Sequence, residues 1–367
     1  MNNDAQHWLE KIVSLDIQQP IRIMNVCGGH ERTLNSAGLR SILPENIEII
    51  PGPGCPVCVC PEEKLYFALQ LAKMPNTIIT SFGDMLRVPA NNSKTEYKTL
   101  EQARSSGSEI YAVASPMDAI EYAINNQNKT VIFFAAGFET TMAPIAAMID
   151  QGLPENMKLL LAGRKTWPIV YQLLNSSTHQ LDALIAPGHV ATIMGANEWQ
   201  FVCNNFKLPC AIAGFTEESL LKAIYSTCQQ KISSNIHLEN CYPNTATNNG
   251  NIYAQQLFEK HFDITDADWR GIGKVKQSGF KLKIAHEEIN AELVYASISD
   301  ISGNYSGKMP AGCDCANVVL GQKTPTQCKL YGTTCTPSKP IGPCMVSDEG
   351  ACSIWWSAGK RKQESAA

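Results

Sequence analysis

The chain has 367 residues, 44% hydrophobic and 17% charged, with a formal net charge of −4. That length accommodates two or three compact domains, and the charge excludes the strongly basic balance of a nucleic-acid or polyanion binder. The longest apolar stretch, residues 130–149, is broken by Gly137-Phe138-Glu139-Thr140-Thr141, which excludes a membrane span there.

The first residues, 1–7, carry no basic region followed by an apolar core. No secretory signal is expected, and the protein is expected to be soluble and cytoplasmic. From residue 20, short apolar runs alternate with helical patterns. Runs at 21–26, 47–50, 77–80 and 110–114 read as strands. They end at Cys27-Gly28-Gly29-His30-Glu31, at Pro51-Gly52-Pro53-Gly54-Cys55, at Ser81-Phe82-Gly83-Asp84 and at Ser115-Pro116. A second series follows, at 131–134, 159–161, 183–185 and 211–212. Its runs lead into Gly137-Phe138-Glu139-Thr140, Ala162-Gly163, Pro187-Gly188-His189 and Gly214-Phe215, and an amphipathic helix is expected over 217–229. Strands alternating with helices predict parallel α/β sheets. The expectation is an α/β protein of two similar parallel-sheet domains, 20–127 and 128–238. A third, α+β domain, 239–367 together with 1–19, carries a cysteine-rich end. The run Lys360-Arg361-Lys362 reads as a solvated tail.

The polar motifs follow directly on apolar runs, and open parallel sheets form sites beyond the carboxyl ends of their strands. Cys27, Cys55, Asp84, Glu139 and His189 are therefore expected to converge on one cleft. Taken singly, His189 and Glu139 also read as a surface group or a helix cap.

Fourteen cysteines are many for a chain with no export signal. A disulfide framework fits small secreted domains, so metal, cluster or redox chemistry is the better reading. Ten fall in two groups: Cys27, Cys55, Cys58 and Cys60 early, and Cys313, Cys315, Cys328, Cys335, Cys344 and Cys352 late. Cys203, Cys210, Cys228 and Cys241 are scattered and read as small apolar residues. The late group runs Cys313-x14-Cys328-x6-Cys335-x16-Cys352, with Cys315 and Cys344 as extras. Four thiolates suit a [4Fe–4S] cluster. Four-cysteine zinc is the competing reading, although paired C-x2-4-C knuckles are missing, and purely structural cysteine is a third. Cys55-Pro56-Val57-Cys58 is a C-x-x-C motif suited to reversible disulfide chemistry, with a metal half-site or a plain turn as alternatives. Cys60 can compete for either partner. Cys27 and His30 place a thiol and an imidazole in one glycine-rich loop, a pair suited to ferrous iron, or a glycine turn with an incidental histidine.

Seven stretches together resemble the HypD family of [NiFe]-hydrogenase maturation factors. They are Cys27-Gly28-Gly29-His30-Glu31, residues 52–59, residues 82–89, residues 137–141, residues 187–190, Trp269-Arg270-Gly271-Ile272-Gly273 and residues 342–352, in a resemblance spanning about 20 to 357. It implies a scaffold for assembling the Fe(CN)2CO group of the hydrogenase, working with a small HypC-type chaperone and a HypE-type cyanide donor. It implies [4Fe–4S] ligands at Cys313, Cys328, Cys335 and Cys352, an iron-binding thiol at Cys27 with His30 as its neighbour, and a redox-active pair at Cys55 and Cys58. Such a protein is a redox-active assembly scaffold rather than a turnover enzyme; a stand-alone iron–sulfur-dependent thiol–disulfide oxidoreductase would use the same cysteines. The chain departs from the family pattern at Ala316, Thr216, Asp348 and the extra Cys60.

Overall fold

The computed structural model describes residues 3–91, 96–176, 180–299 and 309–361. In chain order its strands are β1 (Ile21–Asn25), β2 (Ile47–Pro51), β3 (Thr77–Phe82), β4 (Ile110–Val113), β5 (Thr130–Gly137), β6 (Met157–Gly163), β7 (Ala183–Pro187), β8 (Cys210–Ala213), β9 (Leu238–Asn240), β10 (Phe262–Trp269) and β11 (Gly273–Leu282). The fold is α/β. One parallel sheet has the order β2-β1-β7-β8-β9 and a second has the order β4-β3-β5-β6. β10 and β11 form an antiparallel hairpin.

The inner strands read as near-continuous apolar runs because both faces are covered. On one face of the first sheet, Ile21, Ile23, Ile185 and Ala211 pack against Leu220 and Ile224 of the helix Glu217–Ser233. On the other face, Met24, Ile50, Leu184 and Ile212 share a core with Ile79, Ile132, Phe134 and Leu160 of the second sheet and with Cys315, Cys344 and Cys352. The cysteine-rich end is therefore packed into the core shared by the two sheets.

Sheet membership does not follow the boundary expected at residue 127. β4 and β5 flank that residue and lie in one sheet, while β1 and β2 join β7, β8 and β9, which come after the whole second sheet. Apolar runs announce strands, but the order of pairing depends on long-range packing that no local pattern carries. Residues 1–19, expected with the cysteine-rich end, behave likewise. Ala5 and Ile12 of the helix Asn3–Val13 are buried with Leu220 and Ile224 of the first sheet's layer. The β10–β11 hairpin joins the second sheet's core through Phe262, Phe280 and Leu282. At the C-terminal end Lys360 lies over the Trp355 ring and Arg361 over the Trp356 ring, 4.4 and 3.8 Å from the centroids. Lys360 is half-buried and Arg361 exposed; Lys362 is outside the described residues.

Candidate functional site

Cys27 lies two residues beyond β1 and caps the helix Gly28–Ser36; Cys55 lies four residues beyond β2 and caps the short helix Pro56–Val59. β1 and β2 are adjacent and parallel, so both thiols stand at the same edge of one sheet. Gly54 brings the two loops together. A Cβ there would lie 2.5 Å from the Val26 oxygen and 2.6 to 2.7 Å from the Cys27 backbone. Cys55 and Cys58 are joined by a disulfide with Cα atoms 5.3 Å apart, and they are only 4% and 2% exposed.

Cys27 retains some exposure. Burial of its thiol and the carboxyl of Glu349 push it up to about 12, against the backbone N–H groups of His30 and Gly29. Glu349 is itself raised to about 7 by burial, with Arg32 opposing and Asp84 and Asp348 adding to the rise. The free thiol is thus protonated at neutral pH, and a metal cation is the kind of partner that makes it a thiolate.

The His30 side chain is fully buried. Its Nδ1 is 3.0 Å from Asn25 Oδ1 and its Nε2 is 2.9 Å from the Ala213 oxygen. Burial, chiefly, lowers it to about 3, so the ring is neutral. The one N–H of the neutral ring donates to one of these two oxygens, and the ring is held between the ends of β1 and β8 beside the Cys27 loop. Phe215 packs on this ring at 4.9 Å and stacks on His189 at 3.7 Å between centroids. Gly29 makes room for Phe215, whose ring a Cβ would meet at 2.7 Å. Thr216, next to it, caps the helix Glu217–Ser233 by accepting from Ser219 N.

The residues expected to converge do so in part. Asp84 Oδ2 accepts from the Asp348 N–H at 2.9 Å, beside Glu349, and His189 reaches the Cys27 loop through Phe215. Glu139 stands apart. It is fully buried and accepts from the Thr166 N–H and hydroxyl, both at 2.7 Å.

The late cysteines gather in one buried place. The sulfurs of Cys315, Cys344 and Cys352 all lie within 4.8 Å of one another, a group able to hold a metal ion. Cys313 Sγ is 3.3 Å from Cys315 Sγ. Cys328 and Cys335 are also buried; Cys352 feels the charge of Cys328, and Cys335 feels those of Cys313 and Cys328. Hydrogen bonds from Cys315 and Cys352 pull Cys344 well below the usual thiol range. Spacing treated Cys315 and Cys344 as extras, whereas the fold puts both at the middle of the group. The one sign in the sequence was their closeness to Cys313 and Cys352.

Three features fit an iron–sulfur cluster here. The donors are soft thiols. Gly342 leaves the sulfurs of Cys315 and Cys313 clear where a Cβ would come within 2.5 and 2.6 Å. The buried Arg270 lies close enough to feel their charge.

A narrow cleft joins the early and late groups. It is lined by Cys27, Cys55, Val318, Cys344 and Glu349, among others. Glu31 fastens the same junction. Its Oε1 accepts from Trp355 Nε1, one turn beyond Cys352, at 2.6 Å, and its Oε2 pairs with Arg40 at 2.9 Å. Glu349 and Phe215 were not singled out by sequence reasoning. Glu349 lies inside the 342–352 motif, and Phe215 in the Gly214-Phe215 turn that follows the 211–212 run. No helix among the described residues is long and apolar enough to cross a membrane.

Comparison with known sequences matches residues 3–359 to the HypD family profile, described as "Hydrogenase formation hypA family". The hydrogenase maturation factor HypD2 of Bradyrhizobium diazoefficiens is 36% identical over 355 residues, covering 94% of this chain and 91% of the relative. HypD of Escherichia coli K12 is 35% identical over 364 residues, covering 97% and 93%. HypD of Azotobacter vinelandii is 35% identical over 358 residues, covering 95% and 92%.

Proposed function

The chain belongs to the HypD family of hydrogenase maturation factors, and from that membership we propose that it is the scaffold on which the Fe(CN)2CO group of a [NiFe]-hydrogenase is assembled. The observation that carries the proposal is the shared cleft of Cys27, Cys55 and Cys344. It supports reading Cys27, the Cys55–Cys58 pair and the late cysteine group as one contiguous site.

In this reading ferrous iron is the cargo and Cys27 its anchor, with a HypC-type chaperone supplying a further ligand. Binding displaces the Cys27 proton, and Glu349 stands next to it to accept that proton. His30 positions the loop, its buried ring held between Asn25 and Ala213. Cyanide arrives on a HypE-type partner as an S–C≡N group. Releasing it breaks the S–C bond and consumes two electrons and two protons, leaving a thiol and hydrogen cyanide. Cys55 and Cys58 supply both electrons and both protons as they close their disulfide. Cys313, Cys328, Cys335 and Cys352 are the residues that would hold a [4Fe–4S] cluster, which when bound supplies single electrons to reopen that disulfide. Cys344 touches Cys315 and Cys352 and also lines the cleft, so it links the two groups.

The near-complete burial of Cys55 and Cys58 favours a dedicated partner over a stand-alone oxidoreductase acting on general disulfides. The test is an anaerobic infrared spectrum of the chain purified with its chaperone. Bands of iron-bound CN and CO are expected in the wild type and not in Cys27→Ala, with the visible absorption of the cysteine group unchanged. Full retention of the bands in Cys27→Ala sinks the assignment, and zinc in place of iron in the anaerobic protein removes the cluster from it.

A further inference from the structure

Arg270 follows directly on β10 and is 3% exposed. Its backbone N–H donates to Val59, one residue beyond the Cys55–Cys58 pair, at 3.0 Å. Its Nη2 donates to the Pro89 oxygen at 2.7 Å. Nε and Nη1 are enclosed and have no hydrogen-bond partner among the described residues. Charged N–H groups left unpaired in a protein interior are strongly unfavourable, and each calls for an acceptor.

No carboxylate among the described residues pairs with Arg270. The carboxylate whose charge it feels, Glu62, accepts from the Asn91 N–H. It also feels the charges of three thiols, Cys60, Cys315 and Cys313. The following residue fixes this placement. Gly271 is packed so closely that a Cβ would meet the Met309 side chain at 2.5 Å and Ala316 Cβ at 3.0 Å, and Ala316 lies in the helix that begins at Cys315. The backbone beside Arg270 is thus pressed against the start of the late cysteine group.

We propose that the free Nε–H and Nη1–H of Arg270 are donors to the sulfurs of the iron–sulfur cluster, and that this buried cation sets the cluster's reduction potential. The inference rests on the cluster reading above. Arg270 is a positioning and tuning residue rather than a ligand. A reduced cluster carries one more negative charge than the oxidised one, so a fixed cation beside it favours reduction, and N–H groups aimed at sulfur act in the same direction. Glu62 opposes both effects.

The experiment is a reductive titration of the anaerobic full-length protein, followed by electron paramagnetic resonance, for wild type, R270Q, R270K and E62Q. R270Q is expected to disfavour reduction at least tenfold, about 59 mV more negative for a one-electron couple. R270K is expected to recover part of that shift, and E62Q to move the potential the opposite way. An intact cluster whose potential is the same in R270Q and wild type overturns the inference. Where R270Q does not fold, an unmoved potential in E62Q does so. A wild-type protein without an iron–sulfur signal overturns the cluster reading instead, and is told apart because no variant is needed to see it. A merely structural Arg270 would lower thermal stability in R270Q without moving the potential.

Discussion

Glu198 carries a carboxyl enclosed with that of Glu139. Burial, chiefly, and the Glu139 charge raise it to about 8, against the pull of Lys165 at 3.9 Å. Unfolded, such a group titrates near roughly 4.3. Between those values the folded protein holds a proton that the unfolded chain has lost, so stability falls as pH rises through the window. Glu198→Gln is expected to flatten that slope, which cannot exceed about 1.4 kcal/mol per pH unit for one group. Denaturant unfolding at several pH values across the window measures it, and an unchanged slope in the variant rejects the assignment. Cys27 shows the same physics with the opposite use. A thiol pushed up to about 12 binds metal only by giving up a proton, so iron retention by the chain is expected to weaken as pH falls. Iron content after dialysis at successive pH values reads this directly.

The elements meet at points where there is little room. Gly54 holds the β2 loop against the β1 loop, with backbone atoms where a side chain would go. Backbone cannot give as a flexible side chain does, so Gly54→Ala is expected to cost about 1–3 kcal/mol by overpacking and to displace Cys27 from Cys55. A variant as stable as wild type in guanidinium, with normal iron content, would show the contact to be slack. Glu31 plays the corresponding part between the helix Gly28–Ser36 and the helix Ala351–Ser357. Glu31→Ala leaves Arg40 without its buried partner, and losing one member of such a pair costs about 3–5 kcal/mol. Limited proteolysis should then cut first near residues 350–361; protection equal to wild type contradicts the docking role.

Across the whole molecule the chain starts one sheet, completes another, and returns to finish the first. Neither sheet is contained on one side of residue 127. Residues 1–127 and 128–367 expressed separately are therefore expected to show no cooperative thermal transition, because each piece leaves both sheets short of inner strands and exposes the shared core. A sharp transition in either piece would refute the interleaved arrangement. The same interleaving brings residues more than 280 positions apart, Cys55 and Cys344, to the walls of one cleft.

The amino-acid sequence determined the α/β class, the positions of most strands, the two cysteine groups and the family motifs. Each depends on local patterns: apolar runs bounded by glycine and proline, and thiols at short spacing. β9 was missed because Leu238–Asn240 is short and only partly buried. The tertiary structure decided which strands share a sheet, that the His30 ring is enclosed between Asn25 and Ala213, and that Glu139 is bound by Thr166. It also moved Cys315 and Cys344 from the edge of the late group to its middle. These are matters of pairing and enclosure between distant segments, and desolvation, contact and charge act through space rather than along the chain.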